Sequence, residues 1–194
     1  MKYSRSNKEF ADLANPHSWL LVANNLYKQA IRLRDGGSQG VISLRNPDGE
    51  ILADWPVENR AIFLLSGFAL ENMLKAFLVY QNPVYVANGR LAEELRTHNL
   101  VKLSEQVEDT PRPVRGKPII QAFQRGLTSW ARYPCALYAK DSEWEQILTE
   151  RLWRQYRLMM RAYGARIMKL LERGWPGPHG SGGVWRFDGA FFEF

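Results

Sequence analysis

The chain has 194 residues, 45% of them hydrophobic and 12% aromatic, which is enough to build one domain with its own core. A single cysteine, Cys135, excludes an internal disulfide framework, and three histidines in unrelated segments argue against a histidine-based metal centre, so no metal and no cofactor is expected. The net charge of +6 and the pI near 9.5 suit an acidic partner such as nucleic acid, although such an excess also serves solubility alone.

The sequence predicts a soluble, cytoplasmic protein that makes no membrane contact. Its N-terminal residues contain no apolar segment followed by a cleavage signal. No run of about 18 uncharged apolar residues occurs either, because charged residues interrupt the most apolar stretch. Composition changes at Trp175, so we predict a helical domain over residues 1–174 and a linker with a C-terminal tail over 175–194.

The first part of the chain predicts an amphipathic helix and a small excursion. Turn residues from Asn15 to Ser18 precede apolar residues at helical spacing, which continue to Asp35. The glycine-rich segment 36–40 ends this helix, and the turn sequence at 46–49 then separates two short apolar runs. Either a small β-hairpin or an irregular excursion fits between the first and second helices.

The most apolar stretch, Val57 to Gln81, predicts a helix in the middle of a bundle, because it is apolar around most of its circumference. We expect Asp54 to cap this helix, with Pro56 in its first turn. Glu71 and Lys75 lie one helical turn apart with the acid first, the favourable orientation for an ion pair. The pair is either exposed or set into a groove between helices.

Further helices are predicted downstream. Residues 90–109 have helical periodicity with a break or cap at Thr97-His98-Asn99, which fits two short helices meeting at a corner. Residues 110–118 contain three prolines and several cations and predict a basic loop. A fourth helix is expected from Ile119 to Ala131.

The last predicted helix is the longest. Ser142 and Glu145 have the spacing of a capping box, and the periodic pattern after them continues to about Arg173. One face is apolar, and the opposite face carries Arg151, Arg154, Arg157 and Arg161. This basic ridge is either a solvated surface, since glutamates dilute it, or a surface that faces phosphates.

The C-terminal tail is apolar and must be covered. The linker sequence PGPHGSGG is followed by VWRFDGAFFEF, which holds four phenylalanines and one tryptophan. Three arrangements are open: the tail docks on its own bundle, pairs as a strand with residues 41–53, or crosses to a second subunit.

Three segments of the chain resemble the HEPN superfamily (higher eukaryotes and prokaryotes nucleotide-binding domain). They are LLSGFALENMLKAFLVY, the downstream THNLVKL, and WARYP at the end of a later helix. The resemblance covers roughly residues 18–173. It implies an all-α, up-and-down bundle of four to five helices, typically homodimeric. Such bundles are found in nucleotide-binding modules, in metal-independent RNases of toxin–antitoxin and defence systems, and in inactive binding or scaffolding versions.

The chain departs from the family at the RNase motif. The resemblance implies an arginine and a histidine four to six residues apart, paired across a dimer so that the histidine acts as acid or base. Here Arg96 is too close to His98, and Arg90 is slightly too far from it. Arg173 and His179 have the spacing but straddle the prolines of the linker, where no fixed catalytic geometry is expected. Cleavage by the usual motif is therefore not expected.

The candidate site residues are His98 and Arg96 for catalysis, and Glu71, Lys75, Arg132 and Tyr133 for ligand binding. His98 is either a base at a helix junction or a helix-corner histidine that bonds a backbone group or Glu71. Arg132 and Tyr133 either bind a phosphate and stack a base, or Arg132 forms a structural ion pair with Glu71 or another carboxylate of the bundle. If they meet, these residues form one polar cluster beside the central helix.

We expect a HEPN-like helical bundle that binds a nucleotide, RNA or a partner protein as a homodimer, within a toxin–antitoxin or defence system. One alternative is a metal-independent RNase with a rearranged active site that uses His98 with Arg96 or Arg132. Another is a non-catalytic scaffold that recruits a partner protein through its aromatic tail. Nucleophilic catalysis is not expected, because Cys135 has no histidine nearby in sequence and no GxSxG elbow appears. No glycine-rich phosphate loop precedes a helix either.

Overall fold

The structure, a computed structural model, describes residues 5–37, 40–111, 116–180 and 191–192. In this part the chain is a helical bundle, as the sequence predicts, and the segment between the first two predicted helices is a small hairpin, one of the two alternatives left open for it. The helices are α1 (Asn7–Leu13), α2 (Pro16–Asp35), α3 (Asn59–Gln81), α4 (Leu100–Gln106), α5 (Gly116–Thr128) and α6 (Glu150–Leu171). The strands are β1 (Val41–Arg45) and β2 (Ile51–Pro56), and short 3₁₀ turns lie at Pro83–Val86, Glu93–Arg96 and Ala139–Asp141.

Helix α3 is the centre of the bundle and packs against α2, α4, α5 and α6. Its contact with α5 is close at Gly67, where an added Cβ would lie 2.7 Å from Leu127 Cγ. Phe63 meets Trp130 edge-on, with ring centroids 4.7 Å apart. By length and composition α3 is apolar enough to cross a membrane, but 78% of its most apolar window is buried in the bundle. This burial is consistent with the core helix of a soluble protein.

The start of α3 differs from the prediction. Asp54 and Pro56 do not open the helix, because both belong to strand β2. The helix begins at Asn59, whose buried side chain accepts a hydrogen bond from Leu148 N at 3.0 Å. Asn59 also donates to Gln146 O at 3.0 Å. The segment before α6 therefore fixes where the central helix begins.

The last helix is shorter than predicted. It begins at Glu150, capped by Thr149 Oγ1, which accepts from Leu152 N. Ser142 and Glu145 do not form a capping box, because the Glu145 carboxylate instead accepts hydrogen bonds from Asn59 and Arg60. The 22 residues of α6 span about 33 Å at 1.5 Å per residue.

Helix α1 was not predicted, although its first turn is a capping box. Glu9 N donates to Ser6 Oγ at 3.2 Å, and Ser6 N donates to Glu9 Oε2 at 2.7 Å.

The predicted break at residues 97–99 is confirmed. There Asn99 Oδ1 caps α4 by accepting from Lys102 N at 2.8 Å. Residues 112–115 of the predicted basic loop lie outside the described residues.

Phe192, in the C-terminal tail, docks on its own bundle. Its side chain is 1% exposed and lies against Tyr27, with ring centroids 5.2 Å apart. Its backbone N–H donates to Asn24 Oδ1 at 3.0 Å. The opposite wall is Gly164, where an added Cβ would lie only 2.5 Å from Phe192 Cδ2. Tail residues 181–190 and 193–194 lie outside the described part of the chain.

Candidate functional site

The structure brings Glu71, Lys75 and His98 together in one polar cluster. Lys75 Nζ donates to Glu71 Oε1 at 2.6 Å, and His98 Nδ1 lies 2.9 Å from Glu71 Oε2. The Glu71 and Lys75 side chains are 5% and 6% exposed, whereas that of His98 is 51% exposed. The pair predicted on α3 is thus set between helices, and only the imidazole reaches the surface.

Neighbouring elements hold the cluster in place. His98 lies just before α4, and Leu100 N in the first turn of α4 donates to Gln124 of α5. The Phe68 ring meets the His98 ring edge-on at 6.0 Å. Lys75 Nζ lies 5.6 Å from the centre of the Trp19 ring of α2. This cation–π contact stabilises the ammonium charge in addition to the ion pair with Glu71. The cluster therefore joins α2, α3 and the segment before α4.

The arrangement orients the imidazole as a carboxylate–histidine pair does. When His98 Nδ1 carries a proton it donates to Glu71, and Nε2 is the ring nitrogen left for a ligand. Phosphoryl chemistry is also helped by a cation that stabilises the negative charge developing on the phosphate. Lys75 is occupied by Glu71, and the Arg96 guanidinium donates to Leu91 O through Nε and Nη2 at 3.0 and 2.9 Å. Within the described residues no arginine forms a hydrogen bond or an ion pair with Glu71, Lys75 or His98.

Arg132 and Tyr133 lie apart from the cluster. Both are exposed, just beyond the end of α5, and the Arg132 guanidinium lies 5.2 Å from the centre of the Tyr133 ring. The segment that follows α5 packs beside Phe63 through Trp130. Phe63 precedes Glu71 by eight residues, about 12 Å along α3. The structure therefore does not bring Arg132 to Glu71.

A second candidate site lies on α6. We call it the arginine groove, a cavity of about 350 Å³ lined by Glu150, Trp153, Arg154, Arg157, Leu158 and Arg161. The three arginines recur at steps of three and four residues, so they share one helix face. Arg154 and Arg161 are exposed, and Arg157 is half-buried. The groove thus concentrates positive charge in a concave surface, part of the basic ridge predicted from the sequence.

Buried aromatic side chains of α2 and α6 lie next to the arginine groove. Trp153 is 3% exposed and stacks on Tyr156, with ring centroids 5.5 Å apart. The Arg157 guanidinium lies beside the Tyr27 hydroxyl. Burial raises the pKa of Tyr27 well above its ordinary value, although the charge of Arg157 acts in the opposite direction. Tyr27 is therefore neutral at physiological pH and does not neutralise the arginine. The sequence indicated the ridge but not this aromatic support, whose members come from α2 and α6.

The groove contains one carboxylate, which already has a partner. Glu150 forms an ion pair with Arg34 at the end of α2. Arg154 has no ion-pair partner among the described residues. The carboxylate of Glu150 therefore does not neutralise the arginines that line the groove, and an anionic ligand would bind next to their positive charge.

A different pocket, of about 390 Å³, lies between α1 and α2. Its lining residues are Arg5, Phe10, Leu13, Ala14, Ser18, Trp19, Val22, Asn72 and Leu91. Most of them are apolar, and Arg5 is the one charged side chain in that set. This pocket suits an apolar group, whereas the arginine groove suits an anion.

In the described part of the chain, no group of three or more His, Cys, Asp or Glu side chains is placed to hold a metal ion. Comparisons of the sequence with family models and with characterised proteins, and of the fold with solved structures, find no match.

Proposed function

We propose that the chain is a HEPN-like, cytoplasmic RNA-binding module that holds the RNA backbone in the arginine groove. The observation that carries the proposal is the placement of Arg154, Arg157 and Arg161 around one concave surface of α6. Guanidinium groups bind phosphate through two parallel hydrogen bonds, which makes arginine the preferred residue for such contacts. The net charge of +6 adds a long-range attraction for a polyanion.

The dimensions of the groove suit a strand rather than a single phosphate. Arg154 and Arg161 are seven residues apart, about 10 Å along the helix axis, so that they would contact different phosphates. Leu158, 58% exposed among the arginines, offers an apolar surface to a base or sugar. The preference for RNA over DNA, the homodimer and a role in a toxin–antitoxin or defence system rest on the HEPN resemblance and are part of the same proposal.

Replacing Arg154 and Arg161 by glutamine is expected to weaken the binding of a fluorescein-labelled single-stranded RNA at least tenfold. The slope of log K against log salt should fall by about 1.4, since each lost phosphate contact on a single strand contributes about 0.7. Fluorescence anisotropy over a series of KCl concentrations measures both quantities.

The matched control removes two exposed positive charges outside the groove, with Lys140→Gln and Lys169→Gln. It should leave the slope within the error of the unmodified protein. If the control weakens binding as much as the arginine variant does, the RNA responds to net charge and the groove is not its site.

The second candidate function, a metal-independent ribonuclease, is favoured by the contact of Glu71 with the half-exposed His98. RNA incubated with the protein in EDTA should stay intact if the module proposal is right. Degradation that persists in EDTA and is lost in His98→Ala would select the enzyme. Salt-dependent binding without cleavage would select the module.

The third candidate is a scaffold that recruits a partner protein through the aromatic tail. It gains if the protein neither binds nor degrades RNA, and if deleting residues 180–194 changes only the oligomeric state or the capture of a partner. Phe192 fills a buried position, so the deletion must be compared with Phe192→Ala to separate lost recruitment from lost packing.

A further inference from the structure

The hairpin of β1 and β2 exposes apolar side chains that no described helix covers. All five residues of β1 are exposed, among them Val41, Ile42 and Leu44. On β2, Ile51 and Leu52 are 55% and 61% exposed. A two-stranded hairpin in water is marginally stable and gains most from a further strand or a packed surface.

Within the described residues, no strand pairs with the outer edge of β1. Val57 N donates to Gly40 O at 3.1 Å, so even-numbered residues of β1 direct their N–H and C=O groups toward β2. The odd-numbered residues Val41, Ser43 and Arg45 therefore direct theirs outward. Among the described residues, no hydrogen bond reaches those outward groups. The charge of Arg45 does not block pairing at this edge, because its Nη1 donates to Gly49 O at 2.9 Å and so lies over the turn.

The outer edge of β2 is blocked. By the same register its outward positions include Asp54 and Pro56. Proline has no N–H to donate, and an exposed charge on an edge strand opposes pairing. The hairpin thus has one protected edge and one open edge, and the open edge holds neither proline nor acid.

The sequence of β1 complements itself in the antiparallel direction. If two copies pair about Ser43, the outward N–H and C=O groups of each Ser43 bond the other. Ile42 then lies opposite Leu44 of the second copy, and Leu44 opposite its Ile42. Aliphatic pairs of this kind across two strands stabilise a sheet. A partner strand without aliphatic residues at both positions would not reproduce these pairs.

We propose that β1 of one copy pairs with β1 of a second copy of this chain, antiparallel about a two-fold axis at Ser43. The two hairpins then form one four-stranded antiparallel sheet, ordered β2, β1, β1, β2. The outer strands present the Asp54 and Pro56 edges, so the sheet does not extend and the assembly closes as a dimer.

The proposal is tested by a disulfide cross-link. In a Cys135→Ser background, Ser43→Cys should give a disulfide-linked dimer on mild oxidation, because opposed residues that exchange hydrogen bonds have Cα atoms about 5.5 Å apart, within disulfide range. The matched control, Asp54→Cys in the same background, places the thiol on the blocked edge and should remain monomeric on a non-reducing gel. No cross-link at position 43, or an equal cross-link at position 54, overturns the proposal.

A second variant keeps the test independent of thiol chemistry. Ser43→Pro removes an outward N–H that β2 does not use, so the hairpin should persist while pairing between copies is lost. Light scattering after size-exclusion chromatography should show a dimer for the unmodified protein and a monomer for Ser43→Pro at the same concentration. A monomeric unmodified protein, as expected if the edge serves a different protein's strand, overturns the proposal, and so does a Ser43→Pro variant that stays dimeric.

Discussion

Glu71→Leu is expected to lower the free energy of unfolding by about 3–5 kcal/mol, the cost of leaving a buried charge without its partner. Lys75 is 6% exposed, and its ammonium group would keep only the Trp19 ring as a neighbour that favours its charge. Urea unfolding followed by circular dichroism measures the loss. The control is Asp12→Asn, which breaks the surface ion pair with Lys8 and should change stability by less than about 1 kcal/mol.

The double variant Glu71→Leu with Lys75→Met separates charge from packing. Removing both charges and keeping apolar volume should recover most of the stability lost in the single variant, because the desolvation cost disappears with the pair. If the single variant loses less than about 1 kcal/mol, the Lys75 charge is not held by Glu71 in the way described. If the double variant is no more stable than the single one, shape rather than charge fixes this position.

Phe192→Ala is expected to cost about 3–5 kcal/mol, the range for removing a buried phenylalanine ring. The ring fills the space between Tyr27 and Gly164, and the cavity left behind would be bounded by aromatic and helix surfaces that cannot close. Thermal unfolding with and without the substitution gives the change. A loss below about 1 kcal/mol would mean that the tail is not bound there in solution.

Gly164→Ala provides the independent check on the same contact. Its new methyl would overlap the Phe192 ring, so it should destabilise the protein even though alanine favours a helix. In the Phe192→Ala background the ring is absent, and the same substitution should stabilise by up to about 1 kcal/mol. Additive effects of the two changes would contradict the contact.

Local chemistry allowed most helices to be predicted. Asn15 caps α2 and Asn99 caps α4, and each is a short polar residue at the start of a periodic segment. The error at the start of α6 came from a side chain that looks like a local cap but bonds distant groups. Glu145 has the spacing of a capping-box acid, yet its partners are Asn59 and Arg60, 86 and 85 residues away in the sequence. No local pattern contains that information.

The candidate site could be predicted only in part, because some of its contacts are local in the sequence and others depend on how the helices pack. Glu71 and Lys75 share one helix, so their pairing follows from spacing alone. His98 joins them because the corner before α4 is placed against α3, and the sequence already suggested Glu71 as its partner. The position of Arg132 depends on how far α5 extends along α3, which packing at Gly67 and Phe63 decides.

The hydrogen bond from Phe192 N to Asn24 can form only near the end of synthesis, when the C-terminal tail has been made. The two residues are 168 positions apart, so at 5–20 residues per second a ribosome makes the second roughly 10–30 s after the first. Throughout that interval Tyr27 has no Phe192 ring to cover it, and after α6 emerges the face of Gly164 is bare as well. The nascent bundle therefore exposes the surface of Tyr27 and Gly164 until Phe192 has been added and can cover it.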